Sequence, residues 1–491
     1  MTNEARPRSS PFARHVLTMM TGTTLAQAIP IAVTPVLTRL YPPEAFGVFG
    51  LYVVAVGVLG VIATGRYELA IVLPEDDADA RAVGVLALLL ALIVTAVSVG
   101  VAVFAARPLA MALGAPEATP WLRLVPLGAF ASAVFQVFQY WANRQARYGV
   151  LATAAVGQQS GAAVTSVGLG VARAGSGGLV FGHLVGQAVS VSLLGWQGWR
   201  GRRRGVPWRW PSRVAIRRVA GEHRRFLLYN MPYSILTTFS SGVLVVLMSV
   251  FGLLQIAGFM NLVRRLLFLP VSFLSASLGQ VYFREAARAI GTPRLTDLTL
   301  RLLRAVGDAM TPGFVVVAVW AGPLFGAVFG SAWTEAGWYA AAFAPVAFGF
   351  LFTSWPERLF EIAQRQRDAL VLQGLADGAG IGVVVLVLIT GHSPLLAVGA
   401  YGVVYLVFHA AYLWRAFLVA GLPPAALGPI FGRVGALTGV CLAIALVLRV
   451  AVPWLAVQIL LVMVGAGTYY VIVARRFLRV VRGAGNGPED R

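Results

Sequence analysis

The stretch Leu37–Pro74 reads LTRLYPPEAFGVFGLYVVAVGVLGVIATGRYELAIVLP. A short charged turn, Arg39 to Glu44, opens onto an apolar run, and a charged tripeptide, Arg66, Tyr67 and Glu68, stands near the far end of that run. A helix rising ~1.5 Å per residue needs about 20 apolar residues to cross ~30 Å of hydrocarbon, and the run has that length. Charges placed at the edge of such a segment are costly, which makes them first candidates for function.

The composition around this stretch has the same character. Hydrophobic residues make up 58% of the chain and charged residues 12%, against roughly 45–50% and ~25% in soluble domains. The apolar residues fall into runs near span length, without the ~10-residue alternation of a β-barrel. The fold class expected is therefore an all-α integral membrane protein. Fourteen transmembrane helices are predicted, near 16–37, 46–66, 81–105, 121–141, 149–172, 178–198, 227–250, 257–282, 305–321, 338–356, 369–390, 394–416, 433–449 and 453–474.

The formal charge is +20, and all 39 basic residues are Arg. Their location matters more than their sum. The richest cluster, GRRRGVPWRWPSRVAIRRVAGEHRR at 201–225, lies between two apolar runs, where basic loops mark the cytoplasmic side. With both termini cytoplasmic, only Arg39, Arg107, Arg123, Arg173 and Arg449 fall in outer loops, and Arg264 and Arg265 fall inside a span. The cluster reads as a membrane-orienting linker rather than a nucleic-acid surface, and Ser212 to Arg225 is expected to form a basic helix on the inner leaflet. The organisation expected is a six-helix half over 1–199, a basic linker over 200–226, a second six-helix half over 227–420, and two further helices with a basic tail over 421–491. Tyr41 to Gly47 and Phe251 to Gly258 each place an aromatic six or seven residues before a Gly that opens a span, a faint sign that the halves repeat.

Several spans carry polar lines. At 100° per residue the first span gathers Thr23, Gln27, Thr34 and Thr38 on one arc, and the seventh gathers Asn230, Tyr233, Thr237 and Ser241. Such stripes either hydrogen-bond across packed helices or line a water-filled cavity. The eighth span gathers Asn261, Arg264, Arg265, Phe268, Ser272 and Ser275. An intramembrane Arg costs about 2.5–3.5 kcal/mol at mid-depth. Two on a polar stripe read as a phosphate site, with snorkelling to the outer headgroups as the alternative. On an unbroken second helix Glu68 shares the face of Gly47, Gly50, Gly57 and Gly60, and Arg66 points away from it. Either Gly65 breaks the helix, or Glu68 holds a neighbouring helix while Arg66 faces the lumen, which is the preferred reading; a buried clamp is the structural alternative. Glu357 and Asp377 are candidates for a structural or coupling role.

Cys441 is the single cysteine, which excludes an intrachain disulfide. No phosphate loop, H-E-x-x-H pair or Cys/His metal spacing occurs, so no cofactor, no metal and no enzymatic activity are expected.

The order L-T-R-L-Y-P-P-E-x-F-G, one span, then R-Y-E-L-A-I-V-L-P resembles the Wzx-type O-antigen and capsule repeat-unit flippases of the multidrug/oligosaccharidyl-lipid/polysaccharide exporter superfamily. The resemblance implies two halves meeting at a polar cleft formed by spans one, two, seven and eight, in a bacterial plasma membrane. It also implies a substrate, a polyprenyl-diphosphate-linked oligosaccharide carried between leaflets by alternating access. Arg66, Arg264 and Arg265 would meet the diphosphate. Gln27, Thr23, Thr34, Asn230, Tyr233, Thr237, Asn261 and Ser272 would meet sugar. In fourteen-span members the last two helices are associated with a lipid-tail groove. Membrane lipids, a polysaccharide polymerase and glycosyltransferases are the partners implied, and no nucleic acid. The alternatives are a cation-coupled small-molecule or drug antiporter of the same superfamily, and a membrane scaffold for glycosyltransferases.

Overall fold

The structure is a computed structural model, and it describes residues 11–202 and 210–471 apart from 466 and 470. Among the described residues every regular element is helical. Ten helices of the described residues are long and apolar enough to cross a membrane, and Pro116–Leu122 with Val125–Arg144, bent by 45°, makes an eleventh. The other three expected spans lie on Pro11–Leu40, on Tyr148–Val171, and on the short apolar helix Leu455–Tyr469. Tyr148–Val171 is diluted by Gly, Ser, Thr and the pair Gln158 and Gln159, so its length is that of a span although its hydropathy is lower.

The chain divides into two compact units, 1–261 and 262–491. The first holds α1 (Pro11–Leu40), α2 (Pro43–Thr64), α3 (Asp77–Ala112), the short α4 (Thr119–Leu122), α5 (Val125–Arg144), α6 (Tyr148–Val171), α7 (Gly177–Arg202), α8 (Arg213–Glu222), α9 (Met231–Val250) and the first turns of α10 (Leu254–Ala289). Pro30 and Pro35 sit inside α1. Each removes a ladder donor, and threonines nearby answer acceptors in the same turns: Thr34 donates to the Pro30 carbonyl at 2.5 Å and Thr38 to that of Pro35 at 3.1 Å.

Glycines set how closely α2 approaches α9 and the start of α10. Gly258 lies against the Pro43 carbonyl and the Gly47 amide, and Gly47 lies against Leu254. The two glycines whose spacing hinted at a repeat thus meet at one backbone contact, which leaves no room for a Cβ at Gly258. Further along α2, Gly57 faces Thr238 of α9. Small residues permit this approach where lipid tails offer no hydrophobic driving force between helices.

The α8 segment corrects an expectation. It forms, with Ser212 capping its start by accepting from the Ala215 amide at 3.1 Å. Its apolar face does not lie free for a leaflet: Val219 is fully buried with Tyr67, Ile71, Ala82 and Val83, and Ala215 packs against the same cluster. Burying that face inside the protein removes the apolar driving force for lipid insertion, and the exposed side keeps Arg213, Val214 and Arg217.

The second unit continues through the rest of α10 to α11 (Pro293–Phe329), α12 (Thr334–Thr353), the short α13 (Arg358–Ile362), α14 (Gln366–Ile389), α15 (Pro394–Val419) and α16 (Gly428–Ala451). α16 is tied to α11 near both ends. Arg433 pairs with Asp308 at 2.8 Å, and Arg449 donates to the Val319 carbonyl. Replacing Gly258 by Val should destabilise the protein by about 1–3 kcal/mol through overpacking, whereas Gly100→Val, with open space around it, should be near neutral; thermal unfolding in detergent measures both.

Candidate functional site

The charged tripeptide lies where α2 stops. Gly65 (φ 56°) and Arg66 (φ 63°) take consecutive left-handed conformations, and the chain then runs into a 3-10 turn over Tyr67–Val72. Left-handed backbone costs a non-glycine residue about 1–2 kcal/mol, so surrounding contacts have to hold Arg66 there. Its Nη1 pairs with Glu68 Oε1 at 3.1 Å, and its Nε donates to Asn230 Oδ1 at 3.2 Å. Glu68 is completely buried, and its Oε2 has no hydrogen-bond partner. The preferred expectation, an unbroken helix with Arg66 and Glu68 on opposite faces, is therefore overturned. The break at Gly65 resets the 100° count and brings the two side chains together.

Other groups fix the same element from outside. Tyr67 Oη donates to the Ala220 carbonyl of α8 at 3.1 Å. Arg144, at the end of α5, donates to the carbonyls of Ile71 (3.2 Å), Pro74 (2.5 Å) and Glu75 (3.1 Å) and pairs with Asp77 at 3.0 Å. Asn230 sits in a π turn, Phe226–Asn230, at the entrance to α9, and its Oδ1 also accepts from Ser234 Oγ at 3.2 Å. Sequence reasoning passed over Arg144, which looked like an ordinary helix-end cation.

The remaining expected residues of the first unit are dispersed. Thr34 is buried and bonded to its own helix. Gln27 is half-buried with Oε1 enclosed and unpartnered, and the side chain of Thr23 lies outside the described residues. Thr237 donates to the Ser234 carbonyl at 3.2 Å, and Tyr233 is 49% exposed. Asn261 Nδ2 donates to the Phe46 carbonyl at 2.9 Å, joining α10 to α2. In this structure Thr34, Thr237 and Asn261 use their polar atoms as interhelical or intrahelical bonds.

In the second unit, Arg264 and Arg265 follow one another on α10. The helix begins at Leu254 rather than Ala257, so Arg264 stands about 15 Å along it, deeper than expected. Arg264 is half-buried, and its Nε is enclosed without a hydrogen-bond partner. Neither arginine forms an ion pair among the described residues. Ser272 is exposed and donates to the Leu269 carbonyl at 2.8 Å. Asp377 is buried, accepting from Gln373 at 2.9 Å and from Tyr405 Oη. Glu357 is half-buried between α12 and α13 and forms no ion pair among the described residues. α11, α12, α15 and α16 also line an apolar cavity of about 530 Å³, with Phe314, Phe348, Phe352, Leu413 and Val434 on its walls. His409 lines it too; Nδ1 bonds Thr353 Oγ1 at 2.9 Å and Nε2 is enclosed without a partner.

The helix arrangement is similar to those of solved membrane transporters. It is similar to a MATE multidrug-resistance transporter of the MOP superfamily in an inward-facing conformation (TM-score 0.61, 15% identity, 82% of this chain and 94% of that one). It is also similar to the lipid II flippase MurJ in an inward closed conformation (TM-score 0.65, 12% identity, 95% and 99%), and to the Vibrio cholerae MATE transporter VcmN (TM-score 0.53, 14% identity, 84% and 95%). At these identities the likeness concerns the fold. Residues 36–337 match the family described as "Polysaccharide biosynthesis protein", and the chain belongs to that family. Among curated proteins none matches the sequence.

Removing one partner of a buried pair leaves an uncompensated charge. Arg66→Ala should therefore cost about 3–5 kcal/mol, and the double variant Arg66→Met/Glu68→Leu should cost less than that single change. Thermal unfolding of the purified variants measures the difference.

Proposed function

We propose that the protein moves a polyprenyl-diphosphate-linked oligosaccharide from the inner to the outer leaflet of a bacterial plasma membrane by alternating access, with both termini cytoplasmic. The observation that carries this reading is the Arg264–Arg265 pair. These are adjacent guanidinium groups well inside a membrane helix, neither forming an ion pair among the described residues, and one has an enclosed donor left open. A planar guanidinium fork suits phosphate oxygens. Family membership in polysaccharide biosynthesis supports a saccharide cargo, and the Wzx-type motif order in 37–74 supports a lipid-linked one.

Arg66 has a different part in this reading. Glu68 and Asn230 already occupy its Nη1 and Nε, so it offers diphosphate a positioned but largely neutralised cation at the end of α2. Arg264 and Arg265 supply the stronger station. The apolar cavity beside α16 is of a size and lining that suits part of a prenyl chain. Exposed Tyr233 and Ser272, and Gln27 with its unpartnered Oε1, are the sugar-facing candidates. A polymerase and glycosyltransferases are proposed partners for the product and the supply of such a substrate.

Cation-coupled export of a small molecule has one specific support, the buried carboxylate of Asp377 held by Gln373 and Tyr405. Cationic cargo would be repelled by Arg264 and Arg265, so the same variants separate the two readings. In proteoliposomes containing a fluorescent lipid-linked oligosaccharide, the wild type should flip it, and Arg264→Ala/Arg265→Ala should slow flipping by about tenfold or more, ~1.4 kcal/mol of barrier. Unchanged flipping in the double variant would remove the electrostatic mechanism, and no flipping by the wild type under any ion gradient would remove the substrate.

A further inference from the structure

A second polar centre lies inside the first unit, apart from Arg66 and Glu68. Three enclosed atoms there lack any hydrogen-bond partner: Tyr52 Oη on α2, and His183 Nδ1 and Gln187 Oε1 on α7. Tyr52 is completely buried and Gln187 is 7% exposed. His183 meets Tyr52 edge to face, with ring centroids 5.6 Å apart. Gln187 lies one turn further along α7, and its Nε2 donates to Ser132 Oγ of α5 at 3.1 Å. The Tyr52 hydroxyl rests against Gly128, one turn before Ser132 on α5, where any larger residue would strike it. The three residues thus belong to one contact network: the Tyr52 and His183 rings touch, Gln187 stands one turn from His183 on α7, and α5 meets both through Gly128 and Ser132.

Leaving buried polar atoms open costs about 1–3 kcal/mol each, so three together on packed helices favour a shared polar partner. One water closes the set. Tyr52 donates to it, and it donates to His183 Nδ1 and to Gln187 Oε1, which uses one acceptor site and both hydrogens of the water. Exchanging the two ends of the Gln187 amide would still leave one amide atom open. We infer that Tyr52, His183 and Gln187 enclose a water molecule, and that His183 exchanges a proton through it, so that this pocket is a proton-binding site of the first unit.

The surroundings limit where that proton goes. α7 packs on α6, α5 and α2. α6 carries no charged residue, and its one titratable group, Tyr148, is its first residue. On α5, Tyr140 and Arg144 lie two or more turns beyond Ser132. On α2 the charged residue is Glu44, about 12 Å along the helix from Tyr52. On α7 itself the other titratable groups are Arg200 and Arg202, at its far end. An imidazolium here meets hydroxyl, amide and the inferred water, and among the described residues no carboxylate faces it. Proton occupancy is therefore tied to the packing of α7 on α2 and to hydration of the ring, the kind of coupling a transport cycle uses. The binding site stands by itself; its use in driving transport rests on the function proposed above.

Nitrogen-15 histidine spectra of the full chain in lipid nanodiscs test the inference, with His183→Gln assigning the resonance. The wild type should show magnetisation transfer from water to His183 Nδ1 and a reversible one-proton titration within about pH 4 to 8. Tyr52→Phe and Gln187→Leu, each removing one partner of the water, should move the midpoint by about one pH unit or more. A ring that stays neutral across the range, or titrates identically in both variants, overturns the proton site. Should either variant fail to fold, the wild-type transfer decides alone, because its absence rules out the enclosed water. Normal titration in a protein that flips no lipid-linked oligosaccharide would instead contradict the transport reading and leave the site in place.

Discussion

An arginine and a glutamate paired at 3.1 Å hold the end of the second helix, and the first unit is assembled around that pair. Glu68 has no access to solvent, so its charge is tolerable only with Arg66 beside it. The left-handed backbone at Gly65 and Arg66 is what allows two residues so close in sequence to face one another. From there the contacts spread to α9 through Asn230, to α8 through the Tyr67 hydroxyl, and to α5 through the Arg144 fan. Elements that arrive from four parts of the chain thus share one polar junction in an otherwise apolar bundle.

The fold class was legible because hydropathy is a local property. Among the described residues every expected span falls on a helix, since apolar length and short polar turns leave few other structures available in lipid. What was not legible depended on backbone conformation and on tertiary neighbours. The helical wheel separated Arg66 from Glu68 only by assuming that 100° per residue runs through Gly65, and the left-handed pair ends that periodicity. The apolar face of α8 looked suited to a leaflet, but α3 and the Tyr67–Val72 turn take it instead. The polar stripe of α1 gave no hint that Thr34 and Thr38 bond to their own helix around Pro30 and Pro35. Tyr52, Ser132, His183 and Gln187 were passed over, because they belong to three helices and only His183 and Gln187 share a helical spacing.

The second unit shows the opposite electrostatic arrangement. Arg264 and Arg265 form no ion pair among the described residues, while Asp308, Asp368 and Glu285 each pair with an arginine elsewhere. Acid is available in this unit and is directed to joining helices, as in Asp308 with Arg433 between α11 and α16 and Asp368 with Arg415 between α14 and α15. Leaving two neighbouring cations open under those conditions is consistent with a site kept for an anionic ligand. Arg66 and Glu68 by contrast form a settled pair, so the two arginine stations differ in charge as well as in position.

The anionic character of the ligand is the claim on which the functional reading turns. Its most direct measurement is equilibrium binding of a polyprenyl diphosphate to the purified protein, set against the uncharged polyprenol of the same chain length. Diphosphate should bind at least about tenfold more tightly, ~1.4 kcal/mol, with the preference weakening in salt and disappearing in Arg264→Ala/Arg265→Ala. Equal affinity for the two lipids, or a preference that survives loss of both arginines, would contradict it.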